Sequence, residues 1–420
     1  MRESTYEAAV AGLSYSVSNT NRGLQLTVAG YDDKLGAFAA GVASQLNQGL
    51  KLNRFEEWKD TAVRAAAAFD DEQPYMLASY YTGLALEPRS FRFENTEVRS
   101  ELAKVTQEDV REFEKAALKE GRLSVLVQGN LKEKDAETIA ATVKSALSFA
   151  QASPSSKFPP YFFGLVLPRR CRPITLKITN PNAGNDKVCV DLLIQAADKS
   201  RKGNAVAQIV GTIVSQPFYD SLRTKQQLGY IVSSGVKSMG EMRSLAFLVQ
   251  SGPEHSESEV EAAIGKFVKE FGKQIDEMSE EDVGKFVRAG AERSLERDKR
   301  LGTEVVRNWS EIASGKFEYD RRQREAVEMM GVTKKDVVAW WKEWVDNSSG
   351  RRSIVTKILP QNAKTTKKSS RLGLQPSRLD VARLFDENDE DDLVVDFGQV
   401  DDLRKALERQ KEHEMVKGRD

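Results

Sequence analysis

Residues 228–232 of this chain read LGYIV and repeat, with two changes, residues 13–17, which read LSYSV. Each copy is followed by a polar turn and then by an alternating stretch that predicts a strand, residues 23–29 after the first copy and residues 244–250 after the second. Recurrence of the same elements in the same order indicates an internal duplication.

A second pair of matching stretches extends the repeat. Residues 105–110, VTQEDV, recur as residues 332–337, VTKKDV. A Thr followed three residues later by an acidic residue is the pattern of a capped helix start. In both copies the predicted helix leads into an apolar stretch that predicts a strand, at residues 122–128 and 351–359. The sequence therefore predicts an α+β protein of two homologous sandwich domains, each an antiparallel-rich sheet covered by helices on one face.

Composition sets the limits of these two domains. Residues 152–171 are rich in Ser, Lys and Pro and predict a linker, and residues 361–420 predict a charged, partly disordered tail. The domains then span residues 1–151 and 172–360. The second domain has a strand and a helix before its LGYIV, which the first domain lacks, so we expect the first to be incomplete at its N-terminus. A sheet that lacks a strand exposes an edge, and we expect the chain to be a fragment or to need a partner.

Overall charge excludes several classes of partner. The chain has 63 basic and 63 acidic residues, so no global field favours nucleic acid or an anionic membrane. No apolar run is long enough for a membrane span. The only cysteines, Cys171 and Cys189, are too few for a disulfide framework and favour a reducing compartment, with the cytoplasm as the default.

Histidine content argues against a metal site in this chain. The only two histidines are His255, in a predicted turn, and His413, in the charged tail. The stretch that starts at His413 begins like H-E-x-x-H but ends in Lys417, so the second ligand is absent. We therefore expect no metal ligands here and no catalytic residue of a self-contained zinc hydrolase.

Apolar residues at helical spacing predict buried faces rather than binding sites. One such face is a stripe on a predicted helix: Val260, Ile264, Phe267, Phe271 and Ile275. The tryptophans at 340, 341 and 344 are interpreted in the same way, as core. Cys189 lies in an apolar strand and is expected to be an inert buried thiol.

The stretch PFYDSLRTKQQLGY at residues 217–230 is the most unusual of the sequence. It resembles F-x-x-L-R-T-K-E-Q-L-G-Y, found in the C-terminal half of insulin-degrading enzymes and nardilysins. Weaker matches to the same half follow in order at residues 6–15, 30–34, 72–74, 128–130, 309–312 and 332–344. The chain thus resembles the C-terminal half of the insulin-degrading enzyme (insulysin/pitrilysin, nardilysin-like) family of zinc metallopeptidases.

This resemblance implies a function for the chain. Family members look like two bowl-shaped halves that close around a peptide, and the zinc motif H-x-x-E-H lies in the N-terminal half. The present chain would hold the third and fourth domains, bind no cofactor, and form the chamber wall that orients peptide substrates. Arg223 and Tyr230 match family residues that reach the substrate near the zinc, and Tyr219 matches an aromatic residue nearby. Gln226 replaces the usual Glu, which leaves the local ion pairing open.

The repeat offers a test of a purely structural role, because a structural residue should recur in both copies. Tyr230 recurs as Tyr15, so a role in the fold stays open for this tyrosine, whereas Arg223 aligns with Ala8. The expected partner is the catalytic N-terminal half, either covalent or separate, and a homo-oligomer is also open. The rival interpretations are a catalytically dead peptide-binding or regulatory subunit that docks onto a separate metallopeptidase, and an inert truncated product.

Overall fold

The computed structural model describes residues 6–152, 164–196, 198–240, 242–347, 350–362, 379, 381–386 and 393–417. The α-helices are α1 (Tyr6–Val10), α2 (Asp32–Asn47), α3 (Phe55–Ala67), α4 (Pro74–Leu86), α5 (Asn95–Lys104), α6 (Gln107–Ala117), α7 (Glu133–Leu147), α8 (Arg201–Tyr219), α9 (Glu257–Glu277), α10 (Glu280–Leu295), α11 (Leu301–Ala313), α12 (Arg321–Met330), α13 (Lys334–Trp344), α14 (Val381–Leu384) and α15 (Val400–Lys417). The strands are β1 (Ser14–Thr20), β2 (Gly23–Ala29), β3 (Glu120–Gly121), β4 (Ala150–Gln151), β5 (Ile174–Thr179), β6 (Val188–Ala196), β7 (Ile231–Met239), β8 (Met242–Ser251), β9 (Arg352–Leu359) and β10 (Leu393–Asp396).

The chain divides into two compact units, each with a segment from the other half of the repeat. Unit 1 consists of Met1–Ala67, Glu94–Tyr161 and Arg297–Tyr319. Unit 2 consists of Ala68–Phe93, Phe162–Glu296 and Asp320–Asp420. Helix α4 therefore belongs to the first half of the repeat in sequence but to unit 2 in space, and α11 belongs to the second half in sequence but to unit 1 in space. The domain limits inferred from the repeat therefore stay a prediction. The two compact units do not follow these limits, because each contains residues from both halves of the repeat.

Unit 2 is built on a six-stranded mixed sheet in the order β10-β5-β9-β6-β8-β7. The β10–β5 and β5–β9 pairs are parallel and the other three pairs are antiparallel, in register with Leu192 of β6 opposite both Phe247 of β8 and Val355 of β9. All nine residues of β6 are buried, as expected for a central strand covered on both sides. The prediction of an α+β fold with an antiparallel-rich sheet covered by helices is confirmed.

Helices cover both faces of this sheet, whereas the sequence predicts cover on one. On the first face pack α8, α9 and α13. The predicted apolar stripe of α9 is buried, Trp340 and Trp341 of α13 are only 6% and 1% exposed, and Trp344 is partly buried against the same core. On the second face packs α4, where Leu77 and Leu84 are buried. The prediction of cover on one face was wrong because α4 lies about ninety residues before the sheet in the sequence, so no local pattern links the two.

The charged C-terminal tail also contributes to this second face. β10 pairs with β5, and α15 packs on α4 and buries Leu403 and Leu407. The guanidinium of Arg404 is buried as well and donates to the carbonyl oxygens of Glu87 and Arg92 at 3.1 and 2.7 Å. The expectation of a solvated tail was therefore wrong for residues 393–411, because apolar residues at helical spacing lie among the charges. The basic and acidic runs at residues 363–378 and 387–392 lie outside the described residues.

Unit 1 has a β-hairpin, β1–β2, in place of a large sheet. The hairpin pairs Tyr15 with Val28, and Val28 packs on a small core made by α2 and α7: Ala39, Ala43 and Val143. The predicted capping boxes are confirmed in both units, where Thr106 and Asp109 begin α6 and Thr333 and Asp336 begin α13.

The predicted strand at residues 122–128 is absent, since this part of the described chain has no regular secondary structure. Its counterpart β9 lies between β5 and β6 in unit 2. Within the described residues of unit 1, no strand takes the place of either neighbour. A strand is stabilised by its pairing with neighbouring strands, so the apolar sequence alone is not enough to form one here.

Candidate substrate-orienting site

The candidate site lies where α8 ends. Ser200 caps the start of the helix by accepting a hydrogen bond from the backbone N–H of Gly203 at 2.9 Å. Pro217, near the other end, has no N–H to donate within the helix. After Tyr219 the chain continues as a π-helical turn over Asp220–Lys225, and the N–H of Gln226 donates to the carbonyl oxygen of Ser221 at 3.1 Å. Such wide turns are uncommon and often occur at functional sites.

Three apolar side chains hold this turn against the core of unit 2. Phe218 and Leu222 are fully buried and Leu228 is 7% exposed. The ring of Phe218 packs edge-on to Phe247 and Phe267, at centroid distances of 5.2 and 5.1 Å. The backbone that carries the candidate residues is therefore fixed by well-packed neighbours.

Two backbone features then direct the chain into the outer strand β7. Gln227 adopts the left-handed conformation, with φ of +54°. At Gly229, a Cβ atom would lie 2.0 Å from the carbonyl oxygen of Gln250 on β8, so only glycine fits this close approach. This explains the Gly of the LGY stretch and places Tyr230 directly before β7 begins at Ile231.

Arg223 and Tyr230 are brought together at the surface. The guanidinium carbon of Arg223 lies 5.3 Å from the centroid of the Tyr230 ring, a cation–π contact. The Tyr230 side chain is 84% exposed. Among the residues that the structure describes, the Arg223 guanidinium has no hydrogen-bond acceptor and no ion-pair partner. The stack orients the guanidinium while its N–H donors remain available to a ligand.

The neighbouring polar side chains pair with one another rather than with Arg223. The amide of Gln226 donates to the hydroxyl of Ser221 at 3.2 Å, and the amide of Gln216 donates to the carboxylate of Asp220 at 2.8 Å. The replacement of the family's Glu by Gln226 thus leaves no carboxylate at this position for an ion pair with Arg223.

Tyr219 is near the pair in sequence, at the end of α8. It is 42% exposed. In the described part of the chain, no ring contact or hydrogen bond joins Tyr219 to Arg223 or Tyr230. The structure therefore brings together two of the three predicted site residues.

The repeat counterpart of Tyr230 has a different environment. Tyr15 is partly buried and packs edge-on against Phe38 of α2 at a centroid distance of 6.2 Å. Tyr230 packs against no other aromatic ring within the described chain and is 84% exposed. A packing role for Tyr15 therefore does not carry over to Tyr230.

The titratable side chains that the structure describes form no cluster suited to a zinc ion. No group of three or more His, Cys, Asp or Glu side chains is placed to hold a metal ion in the part of the chain described. His255 lies in a turn closed by its own N–H to the carbonyl oxygen of Gly252 at 3.4 Å, and the side chain of His413 lies outside the described residues. Burial, and secondarily the charge of Asp191, raises the pKa of the Cys189 thiol well above its usual range, as expected of an inert thiol.

Sequence reasoning missed the π-helical turn that sets the site geometry. The signal in the sequence was Pro217, which lies inside a predicted helix. It is followed by two apolar residues that are buried, Leu222 and Leu228, and a spacing of six residues would not place them on one face of a regular α-helix.

Among the described residues, no helix has both the length and the apolar character needed to span a membrane.

Two family models match the chain. Residues 1–97 match the middle or third domain of peptidase M16, and residues 209–309 match domain 4 of the C-terminal lobe of the PQQ synthase PqqF-like proteins. Among curated relatives, human insulin-degrading enzyme is 29% identical over 369 residues, which cover 85% of this chain and 34% of the relative. Insulin-degrading enzyme-like 1, peroxisomal, from Arabidopsis thaliana is 28% identical over 368 residues, covering 85% and 37%. The chain thus spans about a third of the length of these relatives.

Solved structures show the same fold. Pitrilysin superposes with a TM-score of 0.77 at 19% identity, over 96% of this chain and 39% of that one. The peptidase M16 inactive domain from Pseudomonas fluorescens gives a TM-score of 0.61 at 14% identity, over 85% and 82%. Together with the two domain matches, these similarities support the chain's likeness to the C-terminal half of an insulin-degrading-enzyme-like or pitrilysin-like peptidase of the M16 family.

Proposed function

We propose that this chain is the non-catalytic half of a zinc metalloendopeptidase, which forms part of the chamber wall and orients peptide substrates for cleavage by another half. The observation that supports this role best is the Arg223–Tyr230 pair, whose tyrosine is exposed and whose guanidinium has no hydrogen-bond or ion-pair partner among the described residues. Surface residues that are oriented but unpaired are suited to bind a ligand rather than to stabilise the fold.

The two side chains provide complementary chemistry. The guanidinium offers a planar set of donors to the backbone carbonyl oxygens of a bound peptide. The Tyr230 hydroxyl can donate to the oxygen that gains negative charge as the scissile carbonyl becomes tetrahedral. Neither group needs to gain or lose a proton, so this chain would supply orientation and charge stabilisation while the other half supplies the nucleophile.

The catalytic half would contribute the H-x-x-E-H motif and its zinc ion, either on the same polypeptide or as a separate subunit. Zinc supplies an activated water in enzymes of this kind. We place the assembly in the cytoplasm, since the chain's two cysteines, Cys171 and Cys189, are too few for a disulfide framework, as expected of a protein in a reducing compartment. Tyr219, at the edge of the site, is proposed to contact the substrate independently of the pair.

Kinetics of an assembled enzyme test this role. The chain would be combined with a catalytic N-terminal half that carries the H-x-x-E-H motif. The rate at which the assembled enzyme hydrolyses a quenched-fluorescence peptide would then be measured. We expect Tyr230→Phe to lower kcat by about 10²- to 10³-fold with an unchanged melting temperature, because it removes one donor to a developing oxyanion. Arg223→Lys keeps the charge but loses the planar donors, and should also lower kcat.

Tyr15→Phe is the matched control, because it removes the same hydroxyl from the structural copy of the repeat. It should leave kcat unchanged. Near-normal kcat in both site variants, with a lowered melting temperature, would show that the pair is structural and that the orienting role is wrong.

A second candidate function is a catalytically dead peptide-binding or regulatory subunit. It is favoured by the match to the M16 inactive domain from Pseudomonas fluorescens, which this chain covers over most of its length. In that case the site variants should weaken peptide binding to the chain alone, measured by fluorescence anisotropy, and should leave kcat of any partner peptidase unchanged.

A further inference from the structure

Strand β7 ends the sheet of unit 2, and its outer edge has no strand beside it in the described chain. The strand order β10-β5-β9-β6-β8-β7 gives β7 a single neighbour, β8. Among the described residues, no backbone hydrogen bond joins β7 to anything other than β8. In an antiparallel pair, the N–H and C=O groups of every second residue point away from the partner strand. β7 therefore presents a row of backbone donors and acceptors that can pair with another strand.

Few of the features that usually protect an edge strand occur in β7. It is nine residues long, contains no proline, and keeps one unbroken register with β8 over its whole length. Natural edge strands are more often short, bulged or interrupted by proline. The opposite edge of the same sheet follows this rule, because β10 has four residues. The last residue of β7, Met239, is buried against Gly164, so the accessible part of the edge is residues 231–238.

The one charged side chain of β7 is directed away from this edge. The amine of Lys237 donates to the carboxylate of Asp191 at 2.9 Å. Asp191 is fully buried on β6, the second strand in from β7, so Lys237 extends across β8 and not outward. A lysine on an edge strand usually discourages pairing, because an added strand would desolvate its charge. Here the charge already has a buried counter-ion, so that cost is reduced.

The strand is held firmly on one face and is free of bulky groups near its middle. Helix α8 packs on β7, and a Cβ atom at Gly211 would lie 2.6 Å from the side chain of Val236, so the two elements are in close contact. At Gly235 an added Cβ atom would meet nothing within 4 Å. The edge is thus fixed in place before a ligand arrives, which lowers the cost of binding.

This edge is continuous with the candidate substrate-orienting site. β7 begins at Ile231, directly after Tyr230, and the guanidinium carbon of Arg223 lies 5.3 Å from the centroid of the Tyr230 ring. Residues of an extended strand follow one another at about 3.3 Å. A peptide paired with the first residues of β7 would therefore place its next residues beside Tyr230. One extended ligand can occupy the edge and the site together.

We propose that β7 binds an extended peptide, which adds to the six-stranded sheet as a further strand and ends beside Arg223 and Tyr230. The inference rests on the function proposed above for the nature of its ligand, and it adds the conformation in which the ligand is held. Pairing between backbones tolerates many side chains but excludes proline from the paired positions. The ligand class is therefore an unfolded, proline-poor peptide segment and not one particular sequence.

A peptide fits this edge better than a second copy of the chain. Stable interfaces between identical chains are large and apolar. The exposed side chains of β7 are those of Ser233 and Ser238, both polar. Backbone pairing along a single strand gives a small contact that tolerates many sequences, which suits a ligand that must be released.

Hydrogen exchange of the full chain, measured at single-residue resolution, tests the proposal. The probe is a synthetic peptide of nine residues, the length of β7, that alternates Thr and Val and has a further lysine at each end. At saturating peptide we expect every second amide of residues 231–238 to exchange at least about tenfold more slowly, because those amides gain an acceptor. The amides already paired with β8 should change little, and so should those of the short edge strand β10.

Two matched variants sharpen the test. The same peptide with prolines at two consecutive central positions loses one N–H from each of its edges and should give no protection. In the chain, Tyr230→Ala should weaken binding of the original peptide by about threefold or more, because it removes the ring at the end of the edge. At saturating peptide this variant should keep the alternating pattern, since the strand pairing does not use the ring.

Several results would overturn the proposal. Uniform protection of neighbouring β7 amides, or none, would show that the peptide does not pair with this edge. Equal protection by the proline peptide would exclude backbone pairing. Unchanged affinity in Tyr230→Ala would show that the ligand does not reach the site. An alternating pattern in the chain alone that disappears on dilution would identify a second copy as the occupant.

These outcomes are distinct from those of the kinetic test of the orienting role. Peptide binding that depends on Arg223, measured by fluorescence anisotropy, but leaves β7 unprotected would overturn the added strand and leave the orienting role standing. An alternating pattern on β7 combined with a normal kcat for Tyr230→Phe would support the added strand and overturn the orienting role.

Discussion

Units 1 and 2 contain copies of the same elements, yet only one of the two copies builds a complete sheet. The helix start is preserved in both, since the Thr and Asp of the capping box make the same pair of hydrogen bonds before α6 and before α13. The strand that follows is preserved in only one, as β9 in unit 2 and an irregular stretch at residues 122–128 in unit 1.

This difference separates two kinds of structural information. A capping box is satisfied by residues three apart in sequence, so it forms wherever its residues occur. A strand depends on neighbours that are distant in sequence, and the same apolar pattern stays irregular when they are missing. Substitutions at matched positions of the two units can therefore measure how much of each element's stability comes from residues nearby in sequence.

The largest difference is expected at Trp340 and its counterpart Phe113. Trp340→Ala should destabilise the chain by about 3 to 5 kcal/mol, because it leaves a cavity in the core of unit 2. Phe113→Ala should change stability by less than about 0.5 kcal/mol, since the ring is mostly in solvent. Urea unfolding of the full chain measures both, and equal losses would mean that Phe113 is buried in solution.

A smaller difference is expected at Gly229 and its counterpart Ser14. Gly229→Ala forces a methyl group onto the carbonyl oxygen of Gln250 and should cost about 1 to 3 kcal/mol as the backbone shifts. Ser14→Ala should be nearly neutral, since its hydroxyl makes only a long, exposed hydrogen bond of 3.4 Å to the carbonyl oxygen of Ala29. Thermal melting compares the two, and a neutral Gly229→Ala would show that β8 can move away freely.

Similar losses in both units are expected at the helix caps. Thr333→Ala and Thr106→Ala should each cost about 1 kcal/mol, because each removes the acceptor for a backbone N–H at the helix start. Hydrogen exchange of the first turns of α13 and α6 reports the loss in each unit. A loss in one unit alone would mean that the cap depends on its surroundings and is not a local element.

The smallest expected effect is the pH dependence of the cap in unit 1. Hydrogen bonds from the side chain and then the backbone of Thr106 lower the pKa of Asp109. Asp109 therefore contributes stability above the unfolded pKa of about 3.9, and this contribution is lost as the pH falls through the lower folded pKa. The cost of Thr106→Ala should shrink when the α6 exchange measurement is repeated at acidic pH. A cost that stays constant would show that the Asp109 carboxylate is not coupled to the cap.

Sequence alone was sufficient for the features that depend on nearby residues. The capping boxes, the buried stripe of α9 and the burial of Trp340 and Trp341 were predicted and confirmed, whereas the duplication stays a prediction. The strand at residues 122–128 was predicted but is absent, and the role of residues 393–411 as sheet edge and covering helix was missed. Both errors concern partners that are distant in sequence.

The candidate site was found from a family resemblance, but its geometry was not. The sequence placed Tyr219, Arg223 and Tyr230 within one short stretch and could not say which of them touch. The structure shows a cation–π contact between Arg223 and Tyr230, and no ring contact or hydrogen bond joins Tyr219 to either of them among the described residues. Tyr15 and Tyr230 are the same residue type at matching positions of the repeat, but their surroundings differ because the two units pack differently around them.

Each unit contains one helix from the other half of the repeat, α4 in unit 2 and α11 in unit 1, and this affects how the chain folds during synthesis on the ribosome. Unit 1 needs α11, so it cannot be complete until residue 313 has left the exit tunnel, by which point most of unit 2 has also emerged. Helix α4 meanwhile waits for a sheet whose first strand is made about ninety residues later and whose last is made near the C-terminus. Nascent chains of this protein should therefore acquire native structure late and nearly at once, rather than one domain after the other.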